Sequence, residues 1–119
     1  MNDDSTRGGD KPVVHKPSKV TIAVRYVGRE RFTHSLAGTV SVADLKKKVM
    51  DAFGLEQSAA SKYQLSYRGV ALNDRYSIGT LAGTLFPERV GDPRVTDPFI
   101  EDPFTVDLGL INELTYGAR

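Results

Sequence analysis

The chain has 119 residues, 39% of them hydrophobic and 26% charged, which is enough apolar material for one core and too little length for two. Its 16 basic and 15 acidic side chains leave a net charge of +1, so no strong field draws in nucleic acid or an anionic membrane. The absence of cysteine excludes a disulfide scaffold, a thiolate metal site and a cysteine nucleophile, and fits a reducing cytoplasm.

Residues 1–17 mix Asp, Gly, Lys and Ser with Pro12 and Pro17 and hold little apolar material beyond Val13 and Val14, which predicts a disordered leader. The first residues lack the basic start and apolar run of a signal peptide. No later stretch approaches the roughly 20 apolar residues of a spanning helix, so a soluble protein is expected.

From Lys19 the hydrophobicity alternates: Val20, Ile22, Val24 and Tyr26 point one way, Thr21, Ala23 and Arg25 the other, which predicts a strand with one buried face. After a short turn at Val27 to Glu30, Phe32, His34 and Leu36 alternate again up to Gly38, completing a hairpin. Ser41 then precedes a helical run, with Asp44 three residues on, Val42, Leu45, Val49 and Ala52 or Phe53 at helical intervals, and Gly54 as the stop. Lys46, Lys47 and Lys48 are expected on its solvated face.

A polar connector, Glu56 to Lys62, leads to a third strand in which Tyr63, Leu65 and Tyr67 share a face and Gly69 closes the run. Val70, Ala71 and Leu72 suit a short strand, Asn73 and Asp74 a turn, and Ile78 and Leu81 a tight helical turn on the core. Residues 82–103 carry Pro87, Pro93, Pro98 and Pro103 among acidic residues and are expected to form a long loop without regular structure. Either a partner contact or packing back over the sheet would explain its length. Asp-Pro recurs within it at Asp92, Asp97 and Asp102, a pattern that turn chemistry accounts for.

Phe104, Val106, Leu108 and Leu110 then alternate with Thr105, Asp107 and Gly109 in a last strand, followed by Ile111 and a polar tail. The first and last strands are the most apolar and so the natural centre of a mixed sheet. His15 and His34 have no metal-spaced companions, and Ser35, Ser41 and Ser77 have no partnered base. Neither a metal site, a cofactor nor a catalytic constellation is expected.

Three segments carry a resemblance to ubiquitin. The run from Ser41 through Ala43 and Met50 to Leu55 aligns with its helix without a gap. Leu65 to Asp74, with Ser66, Arg68 and Gly69, looks like its third strand and glycine turn. Leu108 to Gly117 is similar to its last strand and tail. The resemblance implies an α+β fold, the ubiquitin-like β-grasp, with a mixed four- to five-stranded sheet, one main helix and a long loop before the last strand. It implies a domain over residues 18–117 and a two-residue extension, Ala118 and Arg119.

The layout is most similar to the ubiquitin-like modifiers encoded in bacteria beside their own activating, conjugating and deconjugating enzymes. That likeness implies a non-enzymatic, cytoplasmic protein, monomeric when free, whose partners are an activating enzyme, a conjugating enzyme, a processing peptidase and a covalent protein target. Gly117 is then the conjugation site, exposed by cleavage between Gly117 and Ala118, with Ile111, Glu113, Leu114, Thr115 and Tyr116 as the tail those enzymes recognise. Leu110, Ile111 and Ser66 occupy the positions of a partner surface. Ubiquitin and the sulfur carriers end in two glycines, whereas Tyr116 precedes a single Gly117 here. A ubiquitin-like interaction domain that is never conjugated, and a sulfur carrier, stay open as alternatives.

Overall fold

The computed structural model describes residues 16–111. The elements are β1 (Lys19–Arg25), β2 (Phe32–Ala37), α1 (Val42–Ala52), a 3₁₀ helix (Gln57–Lys62), β3 (Tyr63–Tyr67), β4 (Val70–Ala71), α2 (Ile78–Leu85) and β5 (Phe104–Leu110). One five-stranded sheet runs in the order β2-β1-β5-β3-β4. As the apolar strands predict, β1 and β5 lie at its centre, parallel to one another, while β1–β2, β3–β5 and β3–β4 are antiparallel.

The alternation in β1 and β5 places Val20, Ile22 and Val24 beside Phe104, Val106 and Leu108 under α1, which buries Val42, Leu45, Val49 and Met50 against them. The helix starts where the sequence says, with the Asp44 N–H donating to Ser41 Oγ at 3.0 Å. It ends in a Schellman arrangement: Gly54, at φ +74°, donates to Asp51 O at 3.1 Å, and the Leu55 N–H donates to Met50 O at 2.8 Å.

Three expectations need correction. Lys46 does not share the solvated face of Lys47 and Lys48: it is 8% exposed, and its Nζ donates to Tyr63 O at 3.3 Å and Asp74 Oδ2 at 3.4 Å. A lysine one position after Leu45 lies at the border of the buried stripe, where its long stem packs while its head reaches a carbonyl and a carboxylate. The polar connector is a 3₁₀ helix. The turn at Ile78 and Leu81 is an eight-residue helix that occupies 82–85, the beginning of the segment expected to be irregular. Ser77 caps it by accepting the Thr80 N–H at 3.1 Å, and it continues until Pro87 precludes further turns.

The rest of that long segment packs back over the sheet, with Phe99 and Val90 in the core. The β1–β5 pairing begins only at Ile22 and Phe104, so the start of β1 has no strand on that side. Thr96 O accepts from the Lys19 N–H at 3.1 Å, and Asp97 Oδ1 accepts from the Thr21 N–H at 3.1 Å, completing the edge that β5 does not reach.

The end of β2 meets the start of α2 at two glycines, where the Gly79 N–H donates to Gly38 O at 2.8 Å. A Cβ on Gly38 would run into the Pro17 carbonyl oxygen, a backbone atom that cannot swing aside. Gly38→Ala is therefore expected to lower stability by about 1–3 kcal/mol, measured by urea unfolding. Gly91→Ala, whose Cβ would meet ordinary contacts from 3.5 Å outward, is the control. Equal midpoints for the two variants would show that the close approach does not matter.

Candidate interaction site

The site that the sequence points to lies where β5 leaves the sheet. Tyr63, first residue of β3, is the register partner of Leu110, last residue of β5. Tyr63 is itself held from three sides: its carbonyl accepts from Lys46 of α1, its hydroxyl lies 3.5 Å from the Tyr26 hydroxyl, and its ring meets the Tyr26 ring edge-on at 6.1 Å. The Tyr26 ring in turn packs on Phe53 at 5.4 Å. The strand end is thus tied through β3 to the helix and its C-terminal stop.

Because the 3₁₀ helix runs directly into β3, it brings Ser61 and Lys62 alongside Leu110 and Ile111, and these residues line a shallow depression of about 520 Å³. Leu110 is 37% exposed and Ile111 42%. Two partly exposed aliphatic side chains thus lie beside a lysine at the end of the last strand.

Ser66 does not join them. It is 2% exposed, opposite Asp107 and Ala71 in the sheet register, and offers almost no accessible surface. Three residues of β5 separate Asp107 from Ile111, four steps or about 13 Å of extended chain. Glu113, Leu114, Thr115, Tyr116, Gly117 and Ala118 lie outside the described residues.

The sequence reading missed a second feature, on the sheet face opposite α1. Arg25 there donates through Nε and Nη2 to both carboxylate oxygens of Asp107, at 2.8 and 3.1 Å, and this pairing holds the guanidinium pKa above its ordinary value, first through the hydrogen bonds and then through the charge itself. The only local signal was phase: Arg25 and Asp107 both fall on the outward positions of their strands, and nothing in the sequence says that β1 and β5 are neighbours in that register.

No family model matches the chain, and no curated protein matches it. Solved structures do. It is similar to the ubiquitin of Caldiarchaeum subterraneum, with a TM-score of 0.53 and 18% identity over 76% of this chain and 90% of that one. It is also similar to a protein described under molecular mimicry of SUMO that promotes DNA repair, with a TM-score of 0.50 and 16% identity over 81% of this chain and 96% of that one. With its mixed five-stranded sheet and helix, the chain has an α+β, ubiquitin-like β-grasp fold.

Among the described residues, no helix is long and apolar enough to cross a membrane.

Proposed function

We propose that this chain is a ubiquitin-like protein modifier of a bacterial conjugation pathway. The observation that carries the reading is a ubiquitin-like β-grasp whose central strand β5 ends at an exposed Leu110–Ile111 pair, with the residues that lead to Gly117 following directly in sequence.

In this reading a peptidase hydrolyses the bond between Gly117 and Ala118. An activating enzyme then joins the Gly117 carboxylate to AMP from ATP, releasing pyrophosphate. An enzyme thiol displaces AMP to form a thioester, and a target amine displaces the thiol to form the amide. Glycine suits the acyl position because it lacks a Cβ, so the backbone threads a narrow channel and the carbonyl carbon is open to attack. Leu110, Ile111, Glu113, Leu114, Thr115 and Tyr116 would supply the contacts by which the enzymes choose this substrate. A ubiquitin-like interaction domain that is never conjugated is the second reading, favoured by a groove lined by Arg25, Arg31, Arg68 and Arg89.

The test is the intact mass of the protein isolated from its native cells. The modifier reading expects a chain ending at Gly117 and heavier species in which Gly117 is amide-linked to a target lysine. Gly117→Val should lower those adducts at least about tenfold, since a branched side chain obstructs the approach to the carbonyl. Full-length, unattached chain as the sole species would overturn the modifier reading in favour of the interaction domain.

A further inference from the structure

Four arginines line one open groove of about 380 Å³, Arg25, Arg31, Arg68 and Arg89, together with the carboxylates of Asp102 and Asp107. They arrive from distant parts of the chain. Arg25 ends β1. Arg31 immediately precedes β2, where one further step of the Val24–Phe32 register sets it beside Arg25. Arg68 sits in the two-residue turn between β3 and β4, and Arg89 follows α2.

These arginines fall into two kinds. Arg25 is committed to Asp107. Arg89 donates to Pro98 O at 2.9 Å and Asp102 O at 2.7 Å, lies 3.7 Å from Asp102 Oδ2, and stacks on the Phe99 ring at 4.2 Å. Both are fixed, and they shape the groove. Arg31 and Arg68 have no carboxylate partner among the described residues. The lining of the groove thus holds four guanidiniums against two carboxylates.

Arg68 adds a second observation. Its φ is +50° and that of Gly69 is +81°, the backbone of a tight hairpin turn in which Asn or Gly is the usual first residue. An arginine there carries backbone strain that a glycine would not, and its guanidinium lies 5.5 Å from the centre of the Tyr67 ring, over the groove. Tyr67 and Phe86, in edge contact at 5.6 Å, supply aromatic surface to the groove.

We infer that this groove binds an acidic peptide segment of a partner protein. Charge complementarity commits it to that occupant. Guanidinium forks without a carboxylate partner among the described residues match carboxylates in a bidentate manner, and the aromatic surface between them suits side-chain contact. The groove has the size of a ligand site, not of a single inorganic anion. A surplus of two positive charges in the lining falls short of the many phosphate contacts on which nucleic-acid binding depends. The inference is independent of whether Gly117 is ever conjugated.

The test is fluorescence anisotropy of a fluorescein-labelled hexaglutamate peptide titrated with the full chain at low ionic strength. Saturable binding is expected, weakening several-fold as salt is raised, because exposed charges are screened. Hexalysine should not bind. Arg31→Gln combined with Arg68→Gly should weaken binding at least tenfold while the protein melts no lower than wild type, since glycine accepts the turn conformation at position 68. Lys47→Gln combined with Lys48→Gln, exposed on α1 and absent from the groove lining, should leave affinity unchanged. The proposal is overturned by the absence of saturable binding, by an unchanged affinity in the arginine variant, by an equal loss in the lysine variant, or by inorganic phosphate displacing the peptide at the peptide's own concentration.

Discussion

Phe99→Ala is expected to destabilise the protein by about 3–5 kcal/mol, the cost of emptying a fully buried aromatic site. The ring is enclosed by Phe86 and Phe104 at centroid distances of 5.3 and 6.0 Å, with the Arg89 guanidinium at 4.2 Å over its face. Its removal leaves a cavity between α2, β5 and the long loop, and takes from Arg89 the surface on which it is stacked. A domain of this size is typically stable by only about 5–15 kcal/mol, so the loss would be a large share of the total. Urea unfolding followed by far-ultraviolet circular dichroism measures it. Ile100→Ala, next in sequence but 69% exposed, should shift the stability by no more than about 0.5 kcal/mol. Similar small shifts for both variants would mean that the loop is an appendage and not part of the core.

Asp97 carries the second large effect. Its carboxylate accepts from Thr21 Oγ1 at 2.6 Å, the Phe99 N–H at 2.9 Å, the Thr21 N–H at 3.1 Å and Ser35 Oγ at 3.1 Å. Asp97→Ala leaves the buried Phe99 N–H without its acceptor and takes the same acceptor from half-buried Thr21 and exposed Ser35, and it is expected to cost about 2–3 kcal/mol, as for loss of a charged hydrogen-bonding group. Burial alone pushes the carboxyl pKa up, but the four hydrogen bonds together outweigh it and hold the group below its ordinary value.

A carboxyl whose pKa is depressed on folding contributes stability that is complete above its unfolded value, near 3.9, and is lost as pH falls through the folded value. The gap in unfolding free energy between wild type and Asp97→Asn should thus be flat from about pH 6 to pH 8 and should narrow as pH drops below about 4. A gap that stays constant into acid would show that the side chain acts through its shape and not its charge.

Asp97 also shows where sequence reasoning stopped. Asp92, Asp97 and Asp102 are indistinguishable as Asp-Pro pairs, and turn chemistry holds for the first two, whose carboxylates accept from the N–H two residues on, at Arg94 and Phe99. Only Asp97 lands where β1 lacks a strand neighbour. The alternative between a partner contact and packing back over the sheet was open in the sequence because Phe99 is equally apolar in either case. In the structure its ring is in the core.

The chain by itself determined the local elements. A period of two in β1 and β5 set which side chains go inward, the Ser41 cap and the Gly54 stop bounded α1, and the apolar character of the first and last strands put them at the centre of the sheet. These signals are legible because each depends on residues a few positions apart. The tertiary structure alone decided what depends on distant segments meeting. It buried Lys46 against Tyr63 and Asp74, separated Ser66 from the exposed pair at Leu110 and Ile111, and gathered Arg25, Arg31, Arg68 and Arg89 around one groove. Periodicity states that a residue points away from the core, but the neighbour it meets there is set by strand order and register, which are properties of the whole sheet.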